Sequence, residues 1–434
     1  SGGEKQRVAI ASQLAMRPRA LALDEPVSQL DPAGAADVIS CLKELKRQGI
    51  AIVVVEHRIP EAAGLADRVV VMDEGRAILD IPIGELAQNA ALFDRLGLKV
   101  PDEIAVALET GVPVPPECGF DGPGWLADAL AESAPREHRA AAAKTVAEPQ
   151  QPAPVSGPPV VALENVSFSY SKRGPKVLDG VSVSVGRNEI VAVMGHNGCG
   201  KSSLLGIVAG LNNPTAGSVK SGVSCLAGRG GRSGCAAAGM VFQNPDLLLV
   251  EETLDEELEY GPRNLRLDAS TRKRRRERMT RRLDLEDLGD MPPHALSKGQ
   301  RLRAAVGAVL TMHPALLILD EPTTGQNKKN IRRLIETIGG EEYVDAIIFS
   351  THDIDTAARF AHRVLLMKDG RIIADGTPRS VLSDPALLET TGLAPPPALV
   401  LSRAAGIAPS LTAEEFIENY RRSRPGGAGK GSDE

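Results

Sequence analysis

Short, nearly uninterrupted aliphatic runs recur along this chain, separated by stretches in which apolar residues return every three or four positions. The early runs are Ala20–Leu23, Ile50–Val55 and Val69–Met72; the later ones are Ile190–Met194, Leu316–Leu319, Ala346–Phe349 and Val364–Met367. Runs of this length without period-two alternation predict strands buried on both faces, as in parallel sheets. The intervening stretches Lys5–Met16, Ala33–Lys46, Lys201–Ala209 and Gln300–Thr311 carry the helical period. Strands that alternate with helices in this way predict an α/β fold with a parallel sheet. Val161 to Tyr170 does alternate, and opens the later set as a half-exposed strand. The pattern fails from Pro113 to Pro159, which is rich in Pro, Ala, Gly and Glu; Ala147 to Pro154 reads there as an extended, unpacked linker. Arg424 to Lys430 reads as a frayed tail.

The two sets of runs are copies of one another. Ser297 follows Ser1 by 296 positions, as Asp320 follows Asp24; His352 follows His57 by 295, as Gly370 follows Gly75. A constant offset across four landmarks indicates duplication. The expected organisation is therefore the rear part of a first copy with its tail (1–112), a linker (113–159), a complete second copy (160–385) and a C-terminal tail (386–434). By the same repeat logic, roughly 140 residues are expected before Ser1, so the chain reads as a fragment of a longer product.

Composition narrows the classes. Hydrophobic residues make up 42% of the 434 positions but aromatic ones only 3%, so aliphatic side chains must fill the cores. A net charge of −6 argues against wholesale nucleic-acid binding. No apolar run reaches the ~20 residues that span a bilayer. Five scattered cysteines, with no CxxC pair, suit a reducing compartment better than a disulfide framework.

Gly195-His196-Asn197-Gly198-Cys199-Gly200-Lys201-Ser202 fits the phosphate-loop pattern, and it lies between a strand and a helix as that pattern requires. Glycines let backbone N–H groups turn onto phosphates, and the helix N-terminus adds partial positive charge. Gly195, Asn197, Gly198, Gly200, Lys201, Ser202 and Ser203 are the candidate contacts, with Lys201 for the β- and γ-phosphates and Ser202 for Mg²⁺. His196 and Cys199 fill variable positions of the loop.

Leu317-Ile318-Leu319-Asp320-Glu321 is an apolar strand that ends in two carboxylates. Asp320 is a candidate magnesium ligand and Glu321 a candidate general base, and Asp24 and Glu25 repeat the arrangement. His352, after Ala346–Phe349, is placed to position water or meet a γ-phosphate, and His57 is its copy. Gln243, after a short strand, is a second candidate magnesium contact. Tyr170 is a candidate adenine platform, although an aromatic at a strand end is more often packed.

With these residues in order, the chain resembles the ATP-binding cassette family. Ser1-Gly2-Gly3-Glu4-Lys5-Gln6-Arg7 is similar to that family's signature motif, and Ser297-Lys298-Gly299-Gln300-Arg301 is its second occurrence. Ser-x-x-Glu and Ser-x-x-Gln also read as capping boxes that open a helix, whose N-terminus is an anion site. The resemblance implies tandem P-loop cassettes, each with a helical subdomain, that pair head to tail. ATP is then sandwiched between one P-loop and the opposite signature, so Ser1, Gly2, Gly3, Ser297 and Gly299 become nucleotide contacts. It further implies ATP and Mg²⁺ as cofactors, hydrolysis of ATP, integral membrane subunits as partners, and a peripheral place on the cytoplasmic face of the membrane.

A finer resemblance is to the ATPase subunits of energy-coupling factor importers for cobalt and vitamins. It rests on Phe242-Gln243-Asn244-Pro245-Asp246, on Glu257 to Leu265, on Pro322 to Asn327, and on the tails Leu92 to Leu98 and Leu387 to Leu393. Two departures stand out: Lys298 replaces the first glycine of the second signature, and Asn327 stands where the first copy has Asp31. Both fall on the composite site that also needs the first copy's P-loop, so the site built on Lys201 is expected to be the active one. The basic run Arg272 to Arg282 has no interleaved aromatics and reads as a solvated helix face rather than a nucleic-acid patch, with contact to anionic lipid headgroups as a third reading. Two rival classes are a soluble twin-cassette ATPase acting on ribosomes or DNA, and a non-hydrolysing regulatory module.

Overall fold

The computed structural model describes residues 2–27, 30, 32–56, 59–98, 100–115, 122–133, 158–221, 238–323 and 328–423. They fall into two compact units: residues 1–148 together with 382–434, and residues 149–381.

Among its described residues the first unit holds four strands, β1 (Ala20–Asp24), β2 (Ala51–Val55), β3 (Arg68–Asp73) and β4 (Arg76–Pro82). β1 and β2 pair in parallel, with Ala20 opposite Ala51. β3 and β4 form an antiparallel hairpin with a register shift between Val71 and Met72. Leu21 of β1 packs with Val38, Leu42 and Leu45 of the helix Pro32–Arg47. Among the described residues β2 bonds only to β1, and β3 only to β4.

The same unit gathers both tails. The helices Asp102–Thr110, Gly124–Ser133, Pro397–Ala405 and Ala413–Ser423 share one buried cluster of Val106, Leu126, Leu130, Leu401, Phe416 and Tyr420. Gly111 and Gly406 end equivalent helices in the left-handed conformation that glycine tolerates, at φ 73° and 67°. The helix Gly124–Ser133 lies inside the stretch expected as linker. Its Leu126 and Leu130, one turn apart, are buried, so that part of 113–159 is packed core rather than spacer. The Ala147–Pro154 linker and the 424–430 tail lie outside the described residues.

Among its described residues the second unit holds nine strands: β5 (Val161–Phe168), β6 (Leu178–Val185), β7 (Glu189–Met194), β8 (Ala216–Ser221), β9 (Ala238–Val241), β10 (Leu316–Leu319), β11 (Ala346–Ser350), β12 (Arg363–Lys368) and β13 (Arg371–Gly376). Six of them form a sheet in the order β13-β12-β7-β11-β10-β9, parallel except for the β12–β13 hairpin. β5, β6 and β8 form a separate antiparallel sheet. Every residue of β10 is buried, as the aliphatic run requires of a central strand. Helices Leu254–Asn264 and Ala269–Arg282 precede the helix Lys298–Leu310, whose cap is a complete capping box: Ser297 Oγ accepts from Gln300 N, and Gln300 Oε1 accepts from Ser297 N at 2.8 Å.

The basic helix Ala269–Arg282 is not the freely solvated face its sequence suggested. Arg272 and Arg276 pair with Glu259, Arg275 donates to the Thr311 carbonyl at 2.7 Å, and Arg278 and Arg282 hold the buried Glu341 at 2.8 and 2.7 Å. Internal carboxylates and carbonyls take up most of its charge, which weakens both the solvated-face and the nucleic-acid readings.

Backbone strain recurs between the halves at the offset seen in the sequence. Non-glycine residues adopt positive φ at Arg17 and His313 (50° and 53°), at Glu25 and Glu321 (44° and 48°), and at Glu74 and Asp369 (45° and 47°). Such conformations cost about 1 kcal/mol or more each and persist only where the surroundings enforce them. The hairpin β12–β13 repeats the register shift of β3–β4, between Leu366 and Met367.

Candidate active site

Four parallel strands of the second unit end side by side, and the candidate residues follow their carboxyl ends, where open α/β sheets bind ligands. β7 runs into the loop from Gly195 to Gly200, β10 into Asp320 and Glu321, β11 into Thr351 and His352, and β9 towards Gln243.

The loop is a glycine cradle by necessity. Gly195, Gly198 and Gly200 have φ of 144°, 84° and 106°. A Cβ on Gly195 would lie 2.3 Å from the Met367 carbonyl oxygen, and one on Gly200 2.9 Å from that of Val177. Gly200 caps the helix Lys201–Val208. The Lys201 side chain is buried; its Nζ donates to the carbonyls of Gly195 (2.8 Å) and His196 (3.2 Å) and lies 3.8 Å from Glu321 Oε1.

The acid pair is held differently at its two members. Ser350, the last residue of β11, donates to Asp320 Oδ1 at 2.5 Å and accepts the Glu321 N–H at 2.8 Å. Burial pushes the Asp320 carboxyl above the usual range, against hydrogen bonds from Ser350 and Ser202, and the Glu321 charge adds to the rise. Burial would raise Glu321 as well, but His352, whose Nδ1 stands 3.1 Å from Oε2, together with the Lys201 charge, holds it below its ordinary value. Glu321 is therefore the ionised base-type carboxylate of the pair. Its Oε1 is buried without a hydrogen-bond partner, with only the Lys201 charge nearby. Thr323 and Thr351 share a hydroxyl contact of 3.3 Å beneath the pair.

The donor set fits a magnesium triphosphate. Ser202 and Asp320 bring hard oxygens together, backbone N–H groups line a loop that no side chain can fill, and a buried lysine and an orphaned carboxylate oxygen face one another. Asn197 and Gly198 lie in the same turn, and Ser203 is buried one residue beyond Ser202. Tyr170 is not packed: it is 71% exposed, edge-on to Phe168, and its hydroxyl meets Ser203 Oγ at 2.9 Å. Its ring therefore presents a free face next to the loop. Gln243 is exposed, two residues beyond Val241, whose carbonyl accepts the Asp320 N–H at 2.9 Å.

Other expected residues lie elsewhere. Ser297 and Gly299 open the capped helix Lys298–Leu310 in the second unit. Gly2 and Gly3 begin the helix Gly2–Leu14 of the first unit; Ser1 and His57 lie outside the described residues. Glu25 follows β1, and its N–H bonds to the Val55 carbonyl at 2.9 Å, because Val55 occupies the place that Ser350 holds in the second copy. Ser350 is the functional position that sequence reasoning missed. Its only signal was a hydroxyl closing an otherwise aliphatic strand.

The ABC transporter family profile matches residues 178–324. Over 434 aligned residues the chain is 38% identical to a protein described as an ABC transporter ATP-binding protein from Methanosarcina mazei, covering 98% of this chain and 72% of that one. A second so described, from Methanosarcina acetivorans, is 34% identical, with 97% of this chain and 69% of that one covered. Among solved structures, cbiO1 from Clostridium perfringens, described as part of the ABC transporter complex cbiONQ, is 30% identical over 55% of this chain and 96% of its own, with a TM-score of 0.48.

Proposed function

From the chain's membership of the ATP-binding cassette family of transporter ATPases, we propose that it energises a membrane importer of the energy-coupling factor type, with ATP hydrolysed at the Lys201–Glu321 site. The family binds ATP with Mg²⁺ and cleaves it. The observation that carries the assignment to this site is the convergence of Lys201, Asp320, Glu321 and His352 at the ends of adjacent parallel strands, with Glu321 kept ionised.

On this reading Lys201 leaves the two loop carbonyls for the β- and γ-phosphates, and the loop N–H groups cradle them. Ser202, Asp320 and Gln243 would hold Mg²⁺, whose charge would neutralise phosphate oxygens. Glu321 takes the proton of the attacking water. Because Glu321 already engages His352 Nδ1, the ring meets a γ-phosphate oxygen through Nε2. Tyr170 offers its exposed ring to adenine. The signature residues Ser1, Gly2 and Gly3 act on the same γ-phosphate through head-to-tail pairing. The site that would use Ser297, Gly299, Glu25 and His57 is the weaker of the two, because Lys298, Asn327 and Val55 each replace a residue kept in the other copy.

The importer reading is supported by Phe242 to Asp246, by the Glu257 to Leu265 stretch, and by tail helices that follow both halves. No helix among the described residues is long and apolar enough to cross a membrane. Tagged protein isolated from membranes in mild detergent is expected to bring down an integral membrane protein in stoichiometric amount. Recovery with ribosomes or DNA instead would replace the importer by the soluble twin-cassette reading.

A further inference from the structure

Ser350 closes β11 with the only hydroxyl of that strand, and its side chain is fully buried. A hydroxyl has one proton to give, and here its direction is fixed. The Glu321 N–H reaches Ser350 Oγ at 2.8 Å, so the oxygen is an acceptor on that side and its own proton points elsewhere. Asp320 Oδ1 receives it at 2.5 Å, a length typical of an O–H bond to a carboxylate. One side chain thus holds both neighbouring acids, Glu321 by its backbone and Asp320 by its carboxylate.

The remaining contacts of the site leave that task to Ser350. Lys201 and His352 address the Glu321 side chain, and Thr323 and Thr351 meet each other. The Asp320 N–H bonds to the Val241 carbonyl, which fixes the backbone but not the carboxylate. With Oδ1 tied to β11 and Ser202 bonded to the same group, the Asp320 carboxylate is held in one plane between β11 and the helix Lys201–Val208.

The first copy separates this task from mere construction of the turn. Val55 stands in the place of Ser350, and the Glu25 N–H bonds to its carbonyl instead. Yet Glu25 and Glu321 keep the same left-handed backbone, at φ 44° and 48°. The turn therefore forms without the hydroxyl. What the hydroxyl adds is the hold on the aspartate side chain.

We propose that Ser350 is a positioning residue for the divalent cation: its hydroxyl sets the plane of the Asp320 carboxylate, so that Asp320 and Ser202 meet the ion already oriented. The inference rests on the reading of those two residues as magnesium ligands given above. Removing the hydroxyl weakens the cation and leaves the Glu321 turn and the glycine loop as they are.

The test compares Ser350→Val, which installs the first copy's residue, with Ser350→Thr in the full chain. Valine and threonine have nearly the same shape, so their difference isolates the hydroxyl whatever the added methyl costs the fold. Mn²⁺, which takes the same oxygen ligands as Mg²⁺, is titrated in the presence of ATP and followed by electron paramagnetic resonance of the free ion. Ser350→Val is expected to bind Mn²⁺ about tenfold or more weakly than Ser350→Thr, as loss of a hydrogen bond to a charged group implies. Binding of labelled ATP in EDTA should differ by less than about twofold between the two. Equal Mn²⁺ affinity in the two variants overturns the proposal. So does an equal loss of metal-free ATP binding, which would mean that the whole site has loosened. Asp320→Asn tells the two levels apart. If it leaves Mn²⁺ affinity intact, the ligand assignment fails and the inference with it. If it abolishes Mn²⁺ binding while the valine and threonine variants agree, the role of Ser350 alone is refuted.

Discussion

Replacing Glu321 by Gln removes one charge while keeping the shape of the side chain. The amide still reaches His352 Nδ1 across the 3.1 Å contact, and the left-handed backbone at φ 48° is unchanged. What is lost is the ionised acceptor for the water proton. General-base catalysis contributes about 10²–10⁴ in rate, or roughly 3–5 kcal/mol of barrier. Binding should move the other way. Lys201 and Glu321 are both more than nine-tenths buried and 3.8 Å apart, a distance at which opposite charges attract by at most about 4 kcal/mol at the effective dielectric of protein sites. The carboxylate therefore competes with the phosphates for the ammonium group, and its like charge bears on Asp320 as well. Glu321→Gln is expected to bind ATP as well as wild type or up to about tenfold tighter, while turnover falls by about 10²–10⁴. Equilibrium binding of labelled ATP and release of inorganic phosphate measure the two quantities on one preparation. Turnover within about threefold of wild type would show that another group activates the water. A large loss of affinity would show that the carboxylate serves binding rather than chemistry.

Three further expectations come from the same geometry. Burial holds Asp320 above its ordinary range, so its ionised form costs stability at neutral pH, and that cost fades as pH falls through the raised folded value. Asp320→Asn should thus raise the nucleotide-free Tm by about 2–4 °C at pH 7.5, lose that gain towards acid pH, and abolish Mg²⁺-dependent turnover; a lower Tm at neutral pH in calorimetry would contradict this. Tyr170→Ala should weaken ATP binding by about 5- to 30-fold through lost stacking and leave Tm almost unchanged, since the ring is exposed; unaltered affinity would remove Tyr170 from the site. The Glu257 carboxylate is buried and accepts the N–H groups of Val250 and Glu251 at 2.6 and 2.9 Å, so Glu257→Ala should cost about 2 kcal/mol in urea unfolding, and a cost near zero would mean that water replaces it there.

The parts legible in the sequence were those that a few adjacent residues specify. Leu316–Leu319 is a strand because four consecutive aliphatics have no polar face to offer solvent, and Gly195 to Lys201 fits the phosphate-loop pattern because Gly195 and Gly200 leave no room for a Cβ. The capping box at Ser297 was likewise local. What escaped notice depended on partners distant in sequence. Ser350 acquires its role only when β10 and β11 pair and bring Asp320 beside it. The charge of Arg278 and Arg282 looked solvated because Glu341, their shared partner, comes some sixty residues later. The helix Gly124–Ser133 was hidden by the proline and alanine around it, although Trp125, Leu126 and Leu130 carried its buried face.

The tail cluster ties together residues on either side of the entire 149–381 unit, since Leu126 and Leu130 meet Leu401 and Phe416 in a single core. A protease that nicks the chain between 134 and 157 would therefore sever the peptide bond without freeing the fragments. The two pieces should run apart on a denaturing gel yet elute as one species in native buffer. Continuity of the polypeptide and cohesion of the molecule are thus separate properties here, with the second surviving loss of the first.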